Sequence, residues 1–266
     1  MDNKKILTIL LISSLISTIL VSGCINNDNS SDTPESLMVY CGAGMRQPMD
    51  DIGVAFEEEY GIRIEYNYAG SNALLSQMEI TESGDCYMPG ATKYIEVAAG
   101  KGFIESSESV CYHIPVITVP KGNPADITCL GDMAAEGVTL VWGDPDVAAI
   151  GSAGVKILEK NGLYEAVWAN VIATLPTMNE VMMQIAMGQA DASLNWWDTV
   201  KTVDDIDVVE IPMEENMIKI VPIGTLTFSQ YPEYAQDFIE YVSSEEGKSI
   251  FEEHGFVVYP NEEYGD

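Results

Sequence analysis

The sequence predicts an α/β protein with two lobes, each a mainly parallel sheet flanked by helices, joined by a two-strand hinge. Short apolar runs alternate with amphipathic stretches from Leu37 onwards, and this alternation is typical of parallel sheets covered by helices. The segment Pro120-Lys-Gly-Asn-Pro124 interrupts the alternation and divides it into two sets of strand–helix units. The roughly 230 residues of this region are enough to bury the cores of two lobes.

Each element is predicted by its local pattern. The first strand, 37–41, is a continuous apolar run, and the first helix, 48–60, repeats apolar residues such as Ile52 and Phe56 on one face. The same two patterns predict further strands at 62–68, 85–88, 113–119, 138–142, 171–174, 192–196, 208–211 and 218–228. They predict further helices at 72–81, 93–99, 151–161, 180–187, 232–243 and 245–254.

Two crossings between the lobes are expected, at 116–120 and at 218–222. Lobe 1 then comprises 37–117 plus 221–266, and lobe 2 comprises 118–220. Two crossings form a hinge, and open α/β sheets bind ligands beyond the carboxyl ends of their strands. The sequence therefore predicts a ligand cleft between the lobes.

The N-terminus has the pattern of an export signal. Lys4 and Lys5 precede an uncharged apolar run at 6–21, which ends in Ser22-Gly23-Cys24. This ending resembles a lipobox, so we expect a signal peptide at 1–23, a lipidated Cys24 and a polar tether over 24–36. The alternative is an uncleaved anchor helix. On the first interpretation the protein is exported and lipid-anchored on the outer face of the cell membrane.

Composition excludes several classes of function. The 12 basic and 42 acidic residues give a net charge of -30, which disfavours a nucleic-acid partner. Four cysteines besides Cys24 permit disulfides in an exported chain without fixing their pairing; they are Cys41, Cys86, Cys111 and Cys129. Their spacing matches no zinc pattern, and the sequence has only two histidines. No metal site and no cofactor are expected.

Four strand-to-helix loops share one character. They lie at 41–48, 69–72, 143–152 and 177–180, and each is rich in small or capping residues. Ser71 is predicted as an N-cap, and Thr177 with Glu180 has the spacing of a capping box. Each loop leads into a helix N-terminus, whose unpaired N–H groups and partial positive charge attract anions. Together they predict a cage of neutral donors for a doubly charged oxyanion, with no lysine required.

Seven short segments stand in a characteristic order along the chain: Val39-Tyr-Cys-Gly-Ala-Gly44, Tyr68-Ala-Gly-Ser71, Gly84-Asp-Cys-Tyr-Met-Pro-Gly90, Gly143-Asp-Pro145, Gly188-Gln-Ala-Asp-Ala192, Ser244-Glu-Glu-Gly-Lys248 and His254-Gly-Phe256. Their order and spacing carry a resemblance to the substrate-binding proteins of molybdate and tungstate ABC transporters. It implies a periplasmic-binding-protein-like fold of type II without catalysis. It also implies a tetrahedral oxyanion as ligand and an ABC transporter permease as partner. We expect a monomer.

The resemblance also implies a set of ligand-binding residues: Gly44, Met45, Arg46, Ser71, Asn72, Ala149, Met178, Asn179 and Trp196. Two of these positions depart from the family. Met45 and Arg46 stand where a serine is usual, and Trp196 stands where molybdate binders often have a tyrosine. Arg46 could replace the missing donors with a bidentate contact. Its alternative is an ion pair with Asp50 or Asp51.

Other functions remain open. Arg46 favours sulfate, phosphate or an organic anion as the ligand of the same kind of binding protein. An extracellular α/β enzyme would need a nucleophile–base pair, which the sequence does not indicate. A sensory ectodomain has no support from a second membrane segment. Molybdate and tungstate cannot be ranked from the sequence.

Overall fold

The computed structural model describes residues 33–146, 148–201 and 203–264, and everything below concerns the part of the chain that follows Thr33. The strands are β1 Ser36–Gly42, β2 Arg63–Ala69, β3 Cys86–Met88, β4 Ile104–His113, β5 Pro115–Pro120, β6 Leu140–Gly143, β7 Val171–Leu175, β8 Ser193–Trp196, β9 Ile206–Val209, β10 Lys219–Leu226 and β11 Val257–Val258. The α-helices are α1 Arg46–Tyr60, α2 Ser71–Thr81, α3 Thr92–Gly100, α4 Ala149–Lys160, α5 Tyr164–Trp168, α6 Met178–Ala186, α7 Trp197–Val200, α8 Pro232–Ser243 and α9 Glu245–Glu253. Short 3-10 helices lie at Ala43–Met45 and Leu130–Ala134.

The strands form one large and two small sheets. The large sheet has the order β11-β4-β10-β3-β1-β2. A three-stranded sheet has the order β8-β5-β9, and β6 pairs with β7. A single bridge from Leu140 to Ala192 links the two small sheets. The chain therefore forms an α/β fold around two separate groups of strands, as predicted.

Both groups contain antiparallel pairs, so the prediction of mainly parallel sheets is wrong. Strand β1 runs parallel to β2 and β3, and β6 runs parallel to β7. Strand β10 is antiparallel to β3 and β4, and β5 is antiparallel to β8 and β9. The reason is the path of the chain. Because β4 leaves the large sheet and β10 enters it again, the two run in opposite directions where they pair.

The core of the large sheet joins both ends of the chain. Its buried residues run from Leu37 to Cys111 and from Val221 to Phe256. At its centre Phe56 is fully buried and stacks on Tyr60 at 4.3 Å between ring centroids. The edge of Phe238 meets Phe56 at 5.0 Å. A second core contains residues from Ile117 to Ile211. The predicted bounds of the lobes, 37–117 plus 221–266 and 118–220, stay a prediction.

The chain changes sheet earlier than predicted. Strand β4 ends at His113 and β5 begins at Pro115, whereas 116–120 was the predicted crossing. The amide of Trp197 donates to the Ile114 carbonyl at 2.9 Å, so pairing with the small sheet already starts there. The return crossing is fixed to the first one, because the buried Asn216 side chain donates to the Pro115 carbonyl at 2.8 Å.

Several elements differ from the sequence prediction, among them the short strand β11, which was not predicted. Strand β4 was missed before His113, because its stretch Glu105-Ser-Ser-Glu108 is polar and the strand is exposed there. The short helices α5 and α7 were also missed. Strand β1 starts at Ser36, one residue inside the predicted tether.

The calls on the N-terminal segment lie outside the described residues, namely the signal peptide, Cys24 and most of the tether. Among the described residues, no helix is both long and apolar enough to span a membrane. The four cysteines of the described part are free thiols: Cys41, Cys86 and Cys111 are buried, and Cys129 is exposed.

Replacing Phe56 by Ala should lower the free energy of unfolding by about 3–5 kcal/mol, because it leaves a cavity in a packed aromatic cluster. Phe238→Ala should cost a similar amount. The double variant should cost about 0.5–1.5 kcal/mol less than the sum, since each single change already removes their contact. Urea denaturation measures all three values. The control is Val54→Ala, on the exposed face of α1. If the costs of the two single changes simply add in the double variant, the result contradicts a core in which Phe56 packs on Phe238.

Candidate functional site

A cavity of about 500 Å³ opens where loops of the large sheet face loops of the small sheets. The carboxyl ends of β1, β2, β4 and β8 border it, together with the loop after β3. Its lining comprises residues 42–45, 69–73, 90–91, 145–146 and 148–149, with Tyr94, His113, Ser152, Trp196 and Lys219. This cavity, called the oxyanion cavity below, contains three of the four predicted loops.

The first loop brings backbone rather than side chains to the oxyanion cavity. Gly44 lies in the 3-10 helix between β1 and α1, and a Cβ added there would come within 3.4 Å of the His113 ring. Met45 is fully buried, and its side chain belongs to the core of the large sheet. A Cβ at this position would be in van der Waals contact with the imidazole, so the backbone of Gly44 lies directly against His113.

The second loop brings the start of α2. The N-cap is Gly70, which makes no side-chain capping bond, and Ser71 is the first helical residue. The prediction of Ser71 as N-cap is therefore wrong, because its hydroxyl accepts a hydrogen bond from the Gly90 amide at 3.0 Å instead. A hydroxyl that accepts in this way keeps its own proton for another partner. Asn72 follows at the same edge of the cavity.

The third loop brings the start of α4. Its N-cap is Ala148, again without a side-chain capping bond, and Ala149 is the first helical residue. A Cβ at Gly151 would overlap the Gly143 carbonyl, so glycine is needed where the helix packs on the preceding strand. Two helix N-termini without side-chain caps, those of α2 and α4, thus border one cavity. Such termini carry unpaired N–H donors and a partial positive charge.

His113 lies in the wall of the cavity. Only 7% of the residue is exposed, and its ring stacks on Trp196 with centroids 4.9 Å apart. Its Nε2 atom is buried and has no hydrogen-bond partner among the described residues. Burial and, to a smaller extent, the charge of Lys219 lower the pKa of His113 to about 4, although a hydrogen bond with the Gly90 backbone raises it. The imidazole is therefore neutral at pH 7.

Lys219 is the cation of the site. It is the first residue of β10 and pairs across the strands with His113. Its Nζ lies 5.1 Å from the centre of the Trp196 ring. Burial, followed by the charges of Lys93 and Lys156, lowers the pKa of Lys219 to about 8. Trp196, predicted as a site residue, thus lies close to both the imidazole and the ammonium group.

The predicted site residues divide into three groups. Gly44, Met45, Ser71, Asn72, Ala149 and Trp196 border the oxyanion cavity. Arg46 and Asn179 instead line a second cavity of about 540 Å³, which shares Ala43 and Gly44 with the first. Met178 packs against hydrophobic clusters and borders neither of these two cavities.

In the fourth predicted loop, side chains of the loop itself bond to the backbone N–H groups at the start of α6. Thr177 Oγ1 accepts from the Glu180 amide at 3.3 Å, and the Glu180 carboxylate accepts from the Thr177 amide at 3.2 Å. The predicted capping box is confirmed. Because a carboxylate already lies at the N-terminus of α6, this terminus is a poorer place for a second anion than those of α2 and α4.

Arg46 makes a contact that the sequence did not indicate. Its guanidinium lies 4.0 Å above the centre of the Tyr68 ring, a cation–π contact. The alternative predicted for Arg46 was an ion pair with Asp50 or Asp51, and the described residues do not form it. Asp50 accepts from the Tyr68 hydroxyl at 2.7 Å, and Asp51 pairs with His254 at 2.7 Å. A ligand contact of Arg46 stays a prediction.

His113 and Lys219 were not predicted as site residues. Lys219 had a signal, since it is a lone charge between Ile218 and Ile220 in an apolar run. His113 had none beyond the rarity of histidine, because its place depends on where β4 meets β5. The site can therefore offer backbone N–H groups, the Ser71 hydroxyl, an imidazole and an ammonium group. This is a set of donors suited to an anion bound without covalent chemistry.

The stability of the protein should depend on the protonation of His113. Its folded pKa of about 4 lies below the ordinary 6.5, so the unfolded state binds more protons between these values and stability falls as the pH drops from 6.5 to 4. His113→Asn does not titrate. The wild type should therefore lose about 2–3 kcal/mol relative to this variant between pH 7.5 and pH 4.

Urea denaturation at several pH values measures this difference. Asp198, whose pKa burial raises to about 7, acts in the opposite direction but is common to both proteins. The matched control is His254→Asn, at the chain's other histidine. A difference between wild type and His113→Asn that stays constant with pH would contradict a buried, neutral His113.

Comparison with known proteins identifies the family. The family of bacterial extracellular solute-binding proteins matches residues 37–257. A Bacillus subtilis relative, named putative ABC transporter substrate-binding lipoprotein YvgL, is 25% identical over 253 residues, 92% of this chain and 96% of the relative. Molybdate-binding protein ModA of Mycobacterium tuberculosis is 24% identical over 257 residues, 92% of this chain and 97% of the relative.

A solved structure shares the fold. The substrate-binding domain of a putative molybdenum ABC transporter from Clostridium difficile superimposes with a TM-score of 0.74 and 19% identity, covering 85% of this chain and 99% of that domain. The predicted two-lobed, periplasmic-binding-protein-like fold is confirmed, and so is the resemblance to binding proteins of molybdate transporters. The chain belongs to the family of bacterial extracellular solute-binding proteins.

Proposed function

We propose that this solute-binding protein captures a tetrahedral oxyanion, molybdate or tungstate, in the oxyanion cavity and delivers it to an ABC transporter permease. The observation that carries the proposal is the meeting of two uncapped helix starts, α2 and α4, at one cavity. The name of the Mycobacterium tuberculosis relative supports molybdate as cargo. The ligand is held and released unchanged, so no catalytic step is involved.

The donors explain how a dianion can be bound in so acidic a chain. The N–H groups at Ser71 and Ala149 begin helices of 11 and 12 residues. A charge-assisted hydrogen bond contributes about 1.5–3 kcal/mol, and several such bonds can replace the water lost by the ion. The Ser71 hydroxyl adds a further donor, since it already accepts from Gly90.

His113 adds selectivity for the protonation state of the ligand. The neutral imidazole carries one N–H and one lone pair. Its unpartnered Nε2 atom can either donate to an oxyanion or accept from a ligand hydroxyl, and the tautomer decides which. A fully ionised oxyanion has no hydroxyl and needs the Nε2–H tautomer.

The ligand also connects the two lobes. Ser71 and Gly44 belong to loops of the large sheet, and Ala149 and Trp196 to elements of the small sheets. An anion bound to both stabilises the arrangement in which they face each other, as expected for hinge closure. We propose that the permease recognises this closed arrangement.

The lipid anchor belongs to the same proposal. The Ser22-Gly23-Cys24 sequence predicts acylation of Cys24 after export, followed by a polar tether. A relative in Bacillus subtilis is named a lipoprotein, which supports the proposal. Anchoring keeps the binding protein close to its permease on the outer face of the membrane.

A second candidate keeps the site and changes the cargo to sulfate, phosphate or an organic anion. The observation in its favour is Lys219. A cage of purely neutral donors contains no cation, whereas this cavity has a half-buried ammonium group. Competition between the ions in one assay separates the candidates.

Thermal unfolding of the full-length protein in detergent, with and without each ion, tests the function. At a thousandfold excess over Kd, binding should add about 4 kcal/mol to the free energy of unfolding. For a chain of this size that corresponds to a rise in Tm of about 8–16 °C. The proposal expects this rise with molybdate and tungstate. A rise with sulfate or phosphate alone would reassign the cargo, and no rise with any ion would contradict oxyanion binding.

The variant Ala149→Pro locates the site in the same assay. Proline is favoured at the first helical position and removes its N–H donor, and the extended backbone of Ala148 is compatible with a following proline. The rise in Tm with molybdate should therefore shrink by at least half, while the unliganded protein stays folded. Ala149→Ser keeps the amide and is the matched control, which should retain the full rise.

A further inference from the structure

We propose that a second anion-binding site lies beside the oxyanion cavity, where Lys93, Lys156 and Lys219 line one cavity from three different elements. The group that it takes is a carboxylate or a phosphate. This group is either a free anion or the second acidic group of an organic ligand whose first group lies in the oxyanion cavity. The proposal deepens the proposed function and rests on it through Lys219, which borders both cavities.

The three lysines converge from both lobes. Lys93 lies in the first turn of α3, Lys156 lies in α4, and Lys219 begins β10. They line a cavity of about 500 Å³. Helix α3 packs on β10 and β4 of the large sheet, whereas α4 packs on β6 and β8 of the small sheets. An anion among the three ammonium groups would therefore contact both lobes.

The chain supplies these lysines with no counter-charge. No Asp or Glu is among the described residues that line the cavity, although the sequence has 42 acidic and 12 basic residues. None of the three lysines forms an ion pair within the described ranges. Other lysines do: Lys101 pairs with Glu79 at 3.1 Å and Lys121 with Asp207 at 2.6 Å. Three unpaired cations in so acidic a chain indicate that an anion from outside supplies the missing charge.

The lysines also act on one another. Burial lowers the pKa of Lys219 to about 8, and the charges of Lys93 and Lys156 are the next causes. The like charges thus oppose one another, and Lys219 is partly removed from water. A bound carboxylate or phosphate would replace this repulsion with attraction and restore the full charge of Lys219. Binding should therefore be accompanied by proton uptake near pH 8.

The two cavities adjoin. They share Ala91, Tyr94, Ala149, Ser152 and Lys219. The start of α4 lies between them, so one molecule can present an oxyanion to the helix starts and a second acidic group to the lysines. The remaining wall of the second cavity is mostly apolar, with Ala153, Met217, Ile218 and Ile220 beside one polar residue, Thr92. That wall suits a short carbon chain better than a fully hydrated inorganic ion.

Isothermal titration calorimetry of the full-length protein in detergent tests the site with two probes, inorganic phosphate and 2-phosphoglycolate. The variant Lys93→Met/Lys156→Met is compared with Lys101→Met/Lys121→Met, which removes the same two charges from distant ion pairs. At about 50 mM NaCl the first variant should bind 2-phosphoglycolate about tenfold more weakly than wild type, and the control should not. The difference should shrink at about 500 mM NaCl, since Lys93 and Lys156 are exposed and salt screens exposed charges.

The two sources of the anion give different results. Two phosphate ions per chain, of which the salt-sensitive one is lost in the lysine variant, support a free anion. One 2-phosphoglycolate per chain, with phosphate affinity unchanged by the variant, supports the second acidic group of one ligand. Equal losses in both double variants, no loss in either, or no salt-sensitive binding of either probe would overturn the proposal.

Molybdate separates this proposal from the proposed function. If wild type binds molybdate and neither probe distinguishes the lysine variant from its control, the second site is overturned and the proposed function stands. If wild type does not bind molybdate but binds 2-phosphoglycolate in a lysine-dependent way, the molybdate function is overturned and the second site stands.

Discussion

Strands β4 and β10 run antiparallel with Lys219 opposite His113, and the position of the site depends on this pairing. Strand β4 carries the chain out of the large sheet, and β10 carries it back. The pairing therefore ties the two crossings together at the point where the lobes meet, and the hydrogen bond from Asn216 to Pro115 fixes them further. The same register places an imidazole and an ammonium group side by side in the wall of the cavity. Lys219 could not reach the cavity beside His113 if β10 slipped by one residue, because alternate residues of a strand face opposite sides.

Electrostatics around the cavity oppose those of the whole chain. A net charge of -30 repels anions at long range, yet the cavity is bordered by two helix N-termini and by Lys219, with Asp146 as the one acidic residue in its described lining. At short range and with little water, fixed donors outweigh distant charges, which salt screens beyond about 10 Å at 0.1 M. Selectivity then depends on donor geometry and on the protonation state of the ligand. His113 is suited to distinguish the protonation states of the ligand, because its own pKa is low and its Nε2 has no hydrogen-bond partner within the described structure.

The sequence predicted the elements that have regular patterns. The strands β1, β2 and β6 were found, and α1, α4 and α8 were found within about two residues of their ends. Strand β4 was missed because its exposed half is polar, and mixed pairing was missed because it depends on the path of the chain rather than on any local pattern. In the site, Gly44, Ser71, Ala149 and Trp196 border one cavity, and their contact with a ligand stays a prediction. Lys219 and His113 could not be placed from the sequence, because their meeting depends on the β4–β10 register. The contact of Arg46 could not be predicted either. Its expected partners, Asp50 and Asp51, bond to Tyr68 and His254 instead.

The most direct test of this account is a crystal structure of the protein grown with tungstate, with anomalous diffraction recorded at a tungsten absorption edge. The account predicts one dominant tungsten peak in the oxyanion cavity, with the tungstate oxygens about 2.8 Å from the amide nitrogens at the starts of α2 and α4. His113 Nε2 should lie within hydrogen-bonding distance of the same ion. A dominant peak in the cavity lined by Arg46 and Asn179, or an oxyanion cavity that stays without tungsten at saturating tungstate, would contradict it.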